Sequence, residues 1–220
     1  MKKNKLLIIT IIMFCISIIY TILVKYIDVS MIGPESSSVG FSTMNGYVRD
    51  LIGYNEIWYK ITKYLGILPF LIVAFYGLIG LKQLYERRNL FAVDTRILLL
   101  GCFYVLMGVI YIFFEKVIIN YRPFLQEGIL EASYPSSHTV LAICICGTSM
   151  YLGKDYIKNQ SLLKVFNACT LVLMILLVVG RTLSGVHWIS DILGGIIIST
   201  TLVLFYITLE KHFTISKKRI

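Results

Sequence analysis

Polar residues fall in short clusters along this chain, separated by long apolar runs. Six runs are long enough, or nearly so, to cross a bilayer as helices. They lie near residues 6–26, 62–81, 97–114, 138–153, 164–181 and 189–209. The fourth is the shortest and opens on a polar segment. It spans if those polar residues sit just inside the surface. The first follows Met-Lys-Lys-Asn-Lys, as a secretory signal would. It is too long for one and lacks a small-residue cleavage site, so a retained helix is expected. Between the first two runs, "GPESSSVGFSTMNGYVRD" is punctuated like a loop. The "LIGYNEIWYKI" that follows has aromatic spacing suited to a short helix on the membrane surface, or to an irregular loop.

Composition agrees with the runs. Hydrophobic residues make up 57% of the 220 and charged residues 15%, against about 25% charged in soluble domains. The expectation is a single integral membrane domain, 1–220, all-α, with six spans. Five cysteines are scattered inside the apolar runs, which excludes a disulfide framework. Cys144 and Cys146 are two apart and share no helix face, so they read as small core or lipid-facing residues.

The net charge of +9 could suggest nucleic acid, but there is no soluble domain to carry a binding groove. Its distribution reads as topology. Fourteen of the 21 basic residues lie at the two termini and in loops 82–96 and 154–164; seven lie on the other side. By the positive-inside rule both termini are cytoplasmic, and loops 27–61, 115–137 and 182–188 face outward.

Three polar patches then share the outer face: "EKVIINYRPF" (115–124), "YPSSHT" (134–139) and "GRTLSGVHWISD" (180–191). Charged groups at helix ends beside hydrocarbon are costly and usually functional. In the second patch Pro135 ends the preceding chain and Ser136 is an N-cap candidate. The free amides near Ser136–His138 make an anion site, and the small hydroxyls of Ser136 and Ser137 leave room for a phosphate. Alone, this patch reads first as a plain capped helix with a surface histidine. Arg122 and Arg181 tilt the reading, because guanidinium groups match phosphate oxygens with paired hydrogen bonds. Otherwise they anchor in headgroups. His187 and Asp191 are four apart and share one face if the sixth helix begins at "HWISDILGG". The carboxylate then holds the imidazole in one tautomer and leaves the other nitrogen free to attack. Two histidines and an aspartate could ligate zinc, but the arginines repel a cation and favour an anion. No metal or cofactor is expected.

These residues resemble the type-2 phosphatidic acid phosphatase superfamily, which includes glucose-6-phosphatase, undecaprenyl pyrophosphate phosphatases and vanadium haloperoxidases. The family pattern is a lysine, six residues and Arg-Pro; then Pro-Ser-Gly-His; then Ser-Arg, five residues, His, three residues, Asp. Here the third part reads Gly180-Arg181, five residues, His187, three residues, Asp191. The second reads Pro135-Ser136-Ser137-His138, and the first ends at Arg122-Pro123. The likeness covers residues 95–205. Three positions depart from it. Glu115 occupies the usual lysine position and Lys116 stands one residue late. Ser137 replaces glycine, and Gly180 replaces serine.

The resemblance implies a six-transmembrane-helix bundle of this type and metal-free hydrolysis of a phosphorylated lipid in the bilayer. In it His187 is the nucleophile and forms a phosphohistidine, Asp191 orients it, and His138 is the proton donor. Arg122, Arg181 and Lys116, with Ser136 and Ser137, bind the phosphate. An outward site in a bacterial cell membrane suits a lipid pyrophosphate such as undecaprenyl pyrophosphate, or a phosphatidate-like monoester. A non-catalytic or transport protein that binds phosphorylated lipid is the alternative. His212, in the cytoplasmic tail, is outside the site.

Overall fold

The computed structural model describes residues 3–217, with side chains from Asn4 to Thr214. Met1, Lys2 and residues 218–220, some of them basic residues counted above, lie outside the described residues. Among the described residues stand eight α-helices: α1 (Lys3–Tyr26), α2 (Ser42–Ile52), α3 (Glu56–Leu65), α4 (Leu68–Arg87), α5 (Thr95–Lys116), α6 (Ser137–Tyr156), α7 (Gln160–Leu183) and α8 (Ile189–Lys217). The chain is an all-α, multi-pass membrane bundle.

Five stretches among the described residues are long and apolar enough to cross a membrane: Asn4–Tyr26, Glu56–Arg87, Thr95–Lys116, Gln160–Leu183 and Ile189–Thr214. The fourth of the six apolar runs is not among them. The stretch left out is α6, 20 residues long and so about 30 Å from end to end. Its length suffices; its composition does not. Protein surrounds it, with α8, α7 and α4 packed on its sides. Cys144, Ile145, Cys146, Thr148 and Ser149 are all fully buried. A helix that meets protein rather than lipid can carry small and polar residues, which let neighbouring helices approach closely. Thr148 satisfies its hydroxyl on the Cys144 carbonyl at 2.7 Å. Cys15, Cys102 and Cys169, on outer helices, are exposed.

The second span begins earlier than the apolar run suggests. Asn55 caps α3, its side chain accepting the Trp58 amide at 3.1 Å. The stretch left open between surface helix and loop thus holds the end of α2 and the start of α3. α3 packs against α7, and the Asn55 amide donates to the Ser184 carbonyl at 3.1 Å.

α8 is the axis of the bundle, flanked by α1, α5 and α6. Its Tyr206 and Leu202 pack with Phe103 and Leu100 of α5 in the core. At its C-terminal end Glu210 is buried and accepts from Arg96 Nε at 2.8 Å and from the Tyr151 hydroxyl at 2.7 Å. Arg96 also pairs with Asp155 at 3.0 Å. The polar patches gather at the other end.

Candidate functional site

Residues 117–136 connect α5 to α6 and fold back on themselves. Glu127 and Gly128 both have positive φ, the turn pattern that suits two antiparallel segments. Gln126 and Ile129 exchange backbone hydrogen bonds across it. Further down, the Arg122 amide donates to the Glu131 carbonyl (3.0 Å) and the Ser133 amide to the Asn120 carbonyl (2.9 Å). This short ladder sets Arg122, Asn120 and Ser133 at the mouth of the bundle. Arg122 Nε lies 3.1 Å from Glu131 Oε2, close enough for an ion pair, though its angle is too poor for a hydrogen bond.

His187 stands before α8, which begins at Ile189. The expected shared helical face of His187 and Asp191 is therefore corrected. Asp191 occupies the third position of α8 and reaches back to the Trp188 amide at 3.0 Å, half of a capping box. Its carboxylate does not touch the imidazole. It accepts from Asn120 Nδ2 (3.1 Å) and from Ser133 Oγ (2.6 Å). Ser133 Oγ in turn lies 3.0 Å from His187 Nδ1. Neighbouring Ser190 is tied to Asn45, whose Nδ2 meets its hydroxyl at 2.9 Å and whose Oδ1 accepts its amide at 3.1 Å.

His187 Nε2 is buried and has no protein partner. Burial first, then the charges of Arg122 and Arg181, then His138, hold this imidazole well below the ordinary histidine range. It is neutral at physiological pH, with a lone pair to offer.

Ser136 takes the N-cap position of α6, as expected, but its hydroxyl caps no amide. It accepts from Thr139 Oγ1 at 3.0 Å instead. Its own amide donates to the Asp191 carbonyl at 3.1 Å, so the expectation of a free donor there is corrected. The first ladder bond runs from Val140 to Ser136, leaving the Ser137 and His138 amides ahead of the ladder. Arg181 Nη2 lies 2.8 Å from His138 Nδ1 and 2.7 Å from Nε2. Arg181 is 2% exposed, and its Nε and Nη1 have no protein partner.

α3 supplies a wall that the sequence motifs do not mention. The Tyr59 ring faces the Arg181 guanidinium at 5.4 Å, within cation–π range. Thr62 explains Gly180: a Cβ there would fall 2.5 Å from Thr62 Cγ2. The glycine that replaces the family's serine is the space α3 occupies. At the end of α3, a Cβ on Gly66 would meet His138 Cδ2 at 2.9 Å, so only glycine lets that ring stand so close.

A cavity of about 620 Å³ opens beside these groups, between α4, α5 and α6. Arg122, Ser137, His138 and His187 line it at one end, with Lys63 and Glu115. Phe70, Val73, Met107 and Ile145 are among the residues lining the rest. Lys116, the last residue of α5, is exposed and is not among the lining residues. Lys63 of α3 is, and among the described residues it pairs with no carboxylate. Among the described residues no three His, Cys, Asp or Glu side chains stand together as a metal set. Ser133, Asn120, Asn45, Tyr59 and Lys63 escaped sequence reasoning. Ser133, three residues before Ser136, and Asn120, two before Arg122, lay near motifs.

The PAP2 superfamily model matches residues 98–214, more than half of the chain. Among solved structures, the chain is similar to the crystal structure described as the first transmembrane PAP2 type phosphatidylglycerolphosphate phosphatase from Bacillus subtilis. Identity is 19%, the TM-score is 0.57, and the match covers 94% of this chain and 96% of that one. No curated protein matches. The matched region contains all three polar patches, and the chain belongs to the PAP2 superfamily, as a membrane hydrolase of the lipid phosphatase class.

Proposed function

We propose that the protein hydrolyses a lipid phosphate or pyrophosphate at the outer membrane face, without metal, through a phosphohistidine on His187. One observation carries this reading. The unpartnered His187 Nε2 shares the polar end of an otherwise largely apolar cavity with Arg122 and His138. A lipid has the matching shape, a charged head on an apolar chain. The similar B. subtilis protein is by its description a phosphatidylglycerolphosphate phosphatase. That places a phosphomonoester lipid beside undecaprenyl pyrophosphate among the substrates to test.

In the first step the Nε2 lone pair attacks phosphorus, forming the N–P bond as the P–O bond to the lipid breaks. His138 gives its proton to the departing oxygen. In the second step His138 takes a proton from water, whose oxygen displaces His187 and releases phosphate. Arg181 and Arg122 neutralise the non-bridging oxygens, and the Ser137 and His138 amides add donors. Before substrate arrives, Arg181 Nη2 stands against the His138 ring, 2.8 Å from Nδ1 and 2.7 Å from Nε2. Phosphate oxygens compete for that guanidinium and release His138 to carry a proton. With α6 counted as a sixth span, both termini are cytoplasmic and the site faces outward.

The test is phosphate release by purified protein from a panel of lipid monophosphates and pyrophosphates, with His187→Ala, Asp191→Ala and a chelator arm. Release is expected to survive chelator and to vanish in H187A. Equal release from wild type and H187A sinks the nucleophile, and loss on chelation sinks the metal-free route. For orientation, a cysteine at exposed Ile129, in a chain lacking its own five cysteines, is expected to label from outside intact cells. Labelling only after lysis reverses the topology.

A further inference from the structure

We infer that Ser133 is a positioning residue: its hydroxyl stands between Asp191 and His187 and sets the tautomer that leaves Nε2 free. This rests on the reading of His187 as nucleophile and adds a residue to it. Superfamily motifs join the aspartate and histidine by spacing alone. Here the two are bridged, since Ser133 Oγ is 2.6 Å from Asp191 Oδ2 and 3.0 Å from His187 Nδ1.

A serine hydroxyl has one proton and two lone pairs. An ionised carboxylate only accepts, so that proton points to Asp191. Oγ can then meet Nδ1 only as an acceptor, and Nδ1 must carry the imidazole hydrogen. The opposite tautomer sets two acceptors, Nδ1 and Oδ2, against one hydroxyl hydrogen. It also puts an N–H on Nε2, where no protein acceptor exists. Leaving such buried groups unsatisfied is costly.

Ser133 is itself held in place. It is 2% exposed, and its amide is bonded to Asn120 across the ladder. Asn120 Nδ2 holds the other oxygen of the same carboxylate at 3.1 Å, and the Trp188 amide holds Oδ2 at 3.0 Å. The carboxylate is thus anchored to backbone and asparagine, and reaches the imidazole through the serine. When the N–P bond forms, the imidazole becomes cationic. Its Nδ1 hydrogen stays on Nδ1 and keeps donating to Oγ, whose dipole the carboxylate aligns. No proton passes through Ser133.

The experiment uses full-length protein in lipid nanodiscs with ¹⁵N-labelled histidine. Wild type is expected to show His187, assigned by its loss in H187A, with hydrogen on Nδ1. Ser133→Ala is expected to show mixed tautomers and a kcat lower by about 100-fold, the scale of a misoriented catalytic group. Its KM should stay near wild type, while its melting temperature falls by a few degrees with the lost buried hydroxyl. Ser133→Thr, which keeps the hydroxyl, is expected to restore most of kcat and the single tautomer. A wild-type His187 with hydrogen on Nε2 overturns the inference, even if S133A fails to fold. So does an S133A protein with wild-type kcat and tautomer. Failure of the underlying reading looks different, because H187A would then still release phosphate.

Discussion

The two ends of the bundle both bury charge, and they treat it in opposite ways. At the α8 C-terminus, Glu210 meets Arg96 and Tyr151, and Arg96 meets Asp155. Each sign has its opposite, and the Tyr156 hydroxyl adds a bond to Asp94 at 2.8 Å. At the α8 N-terminus the buried carboxylate, Asp191, is saturated by Asn120, Ser133 and the Trp188 amide. Arg181 keeps two buried nitrogens without protein partners, and His187 keeps one. A satisfied network stabilises a fold. Buried donors crowded together with a lone acceptor are what a phosphate's oxygens and phosphorus can engage.

That contrast gives the largest expected effect. His187→Ala should lower phosphate release on the order of 10³-fold or more, as loss of a nucleophile does elsewhere, while leaving the melting temperature near wild type. Glu210→Ala should do the reverse. It leaves Arg96 with Asp155 alone and the Tyr151 hydroxyl without its acceptor, at a cost on the order of 1–3 kcal/mol, and the fraction still folded should keep its turnover. Thermal unfolding and release measured on the same preparations check both. If H187A melts as early as E210A, the two ends are not different in kind.

Next in size is the arginine at the active end. Arg181→Lys keeps the charge but loses the planar fork that faces Tyr59 and reaches His138. Release should fall about 100-fold or more, the scale of losing a transition-state donor, since lysine cannot copy paired donation. At the paired end Arg96→Lys should cost stability and little turnover. Steady-state kinetics beside melting curves separate the two outcomes.

This contrast also shows what could be read in advance. The apolar runs were legible because lipid demands them, and the order of Arg122, His138, Arg181, His187 and Asp191 was legible because motifs are recorded along the chain. The structure brings Arg122, His138 and His187 to one cavity end, with Arg181 against His138. What was not legible depends on segments far apart in sequence. Asn45 meets Ser190 across 145 positions and Asn120 meets Asp191 across 71. The four-residue spacing of His187 and Asp191 implied direct contact only if a helix began at His187. It begins two residues later, which opened the place Ser133 fills. α6, counted among the six runs, is the least apolar of them, since a helix enclosed by protein need not look apolar.

A smaller effect follows from the His187 imidazole, held well below the ordinary histidine range by burial and by Arg122 and Arg181. The unfolded chain takes up this proton near pH 6.5, and the native site refuses it. As pH falls below that point the unfolded state is favoured, so stability declines with acid until the depressed native value is reached. His187→Gln removes this dependence. The gap in melting temperature between wild type and H187Q should therefore shift against wild type from about pH 7.5 to about pH 5. Arg122→Gln should weaken the shift by removing one charge. A pH-independent gap would mean that the native histidine titrates normally.

The smallest expected effect concerns which lysine serves the cavity. Lys116 ends α5 on the exposed surface, while Lys63 of α3 lines the cavity with Arg122 and His138. Glu115, on the same lining, opposes an incoming anion, and Lys63 is the lysine placed to offset it. Lys63→Gln should raise KM about two- to fivefold, the worth of one exposed charge pair, with kcat nearly constant. Lys116→Gln should raise it less. The ratio of the two should grow for a pyrophosphate over a monophosphate of the same lipid, because the longer anion extends toward α3. It should shrink as salt screens exposed charge. A larger KM effect from K116Q would mean that the end of α5 turns inward when lipid binds, and that the one-residue displacement is absorbed by the length of the lysine side chain.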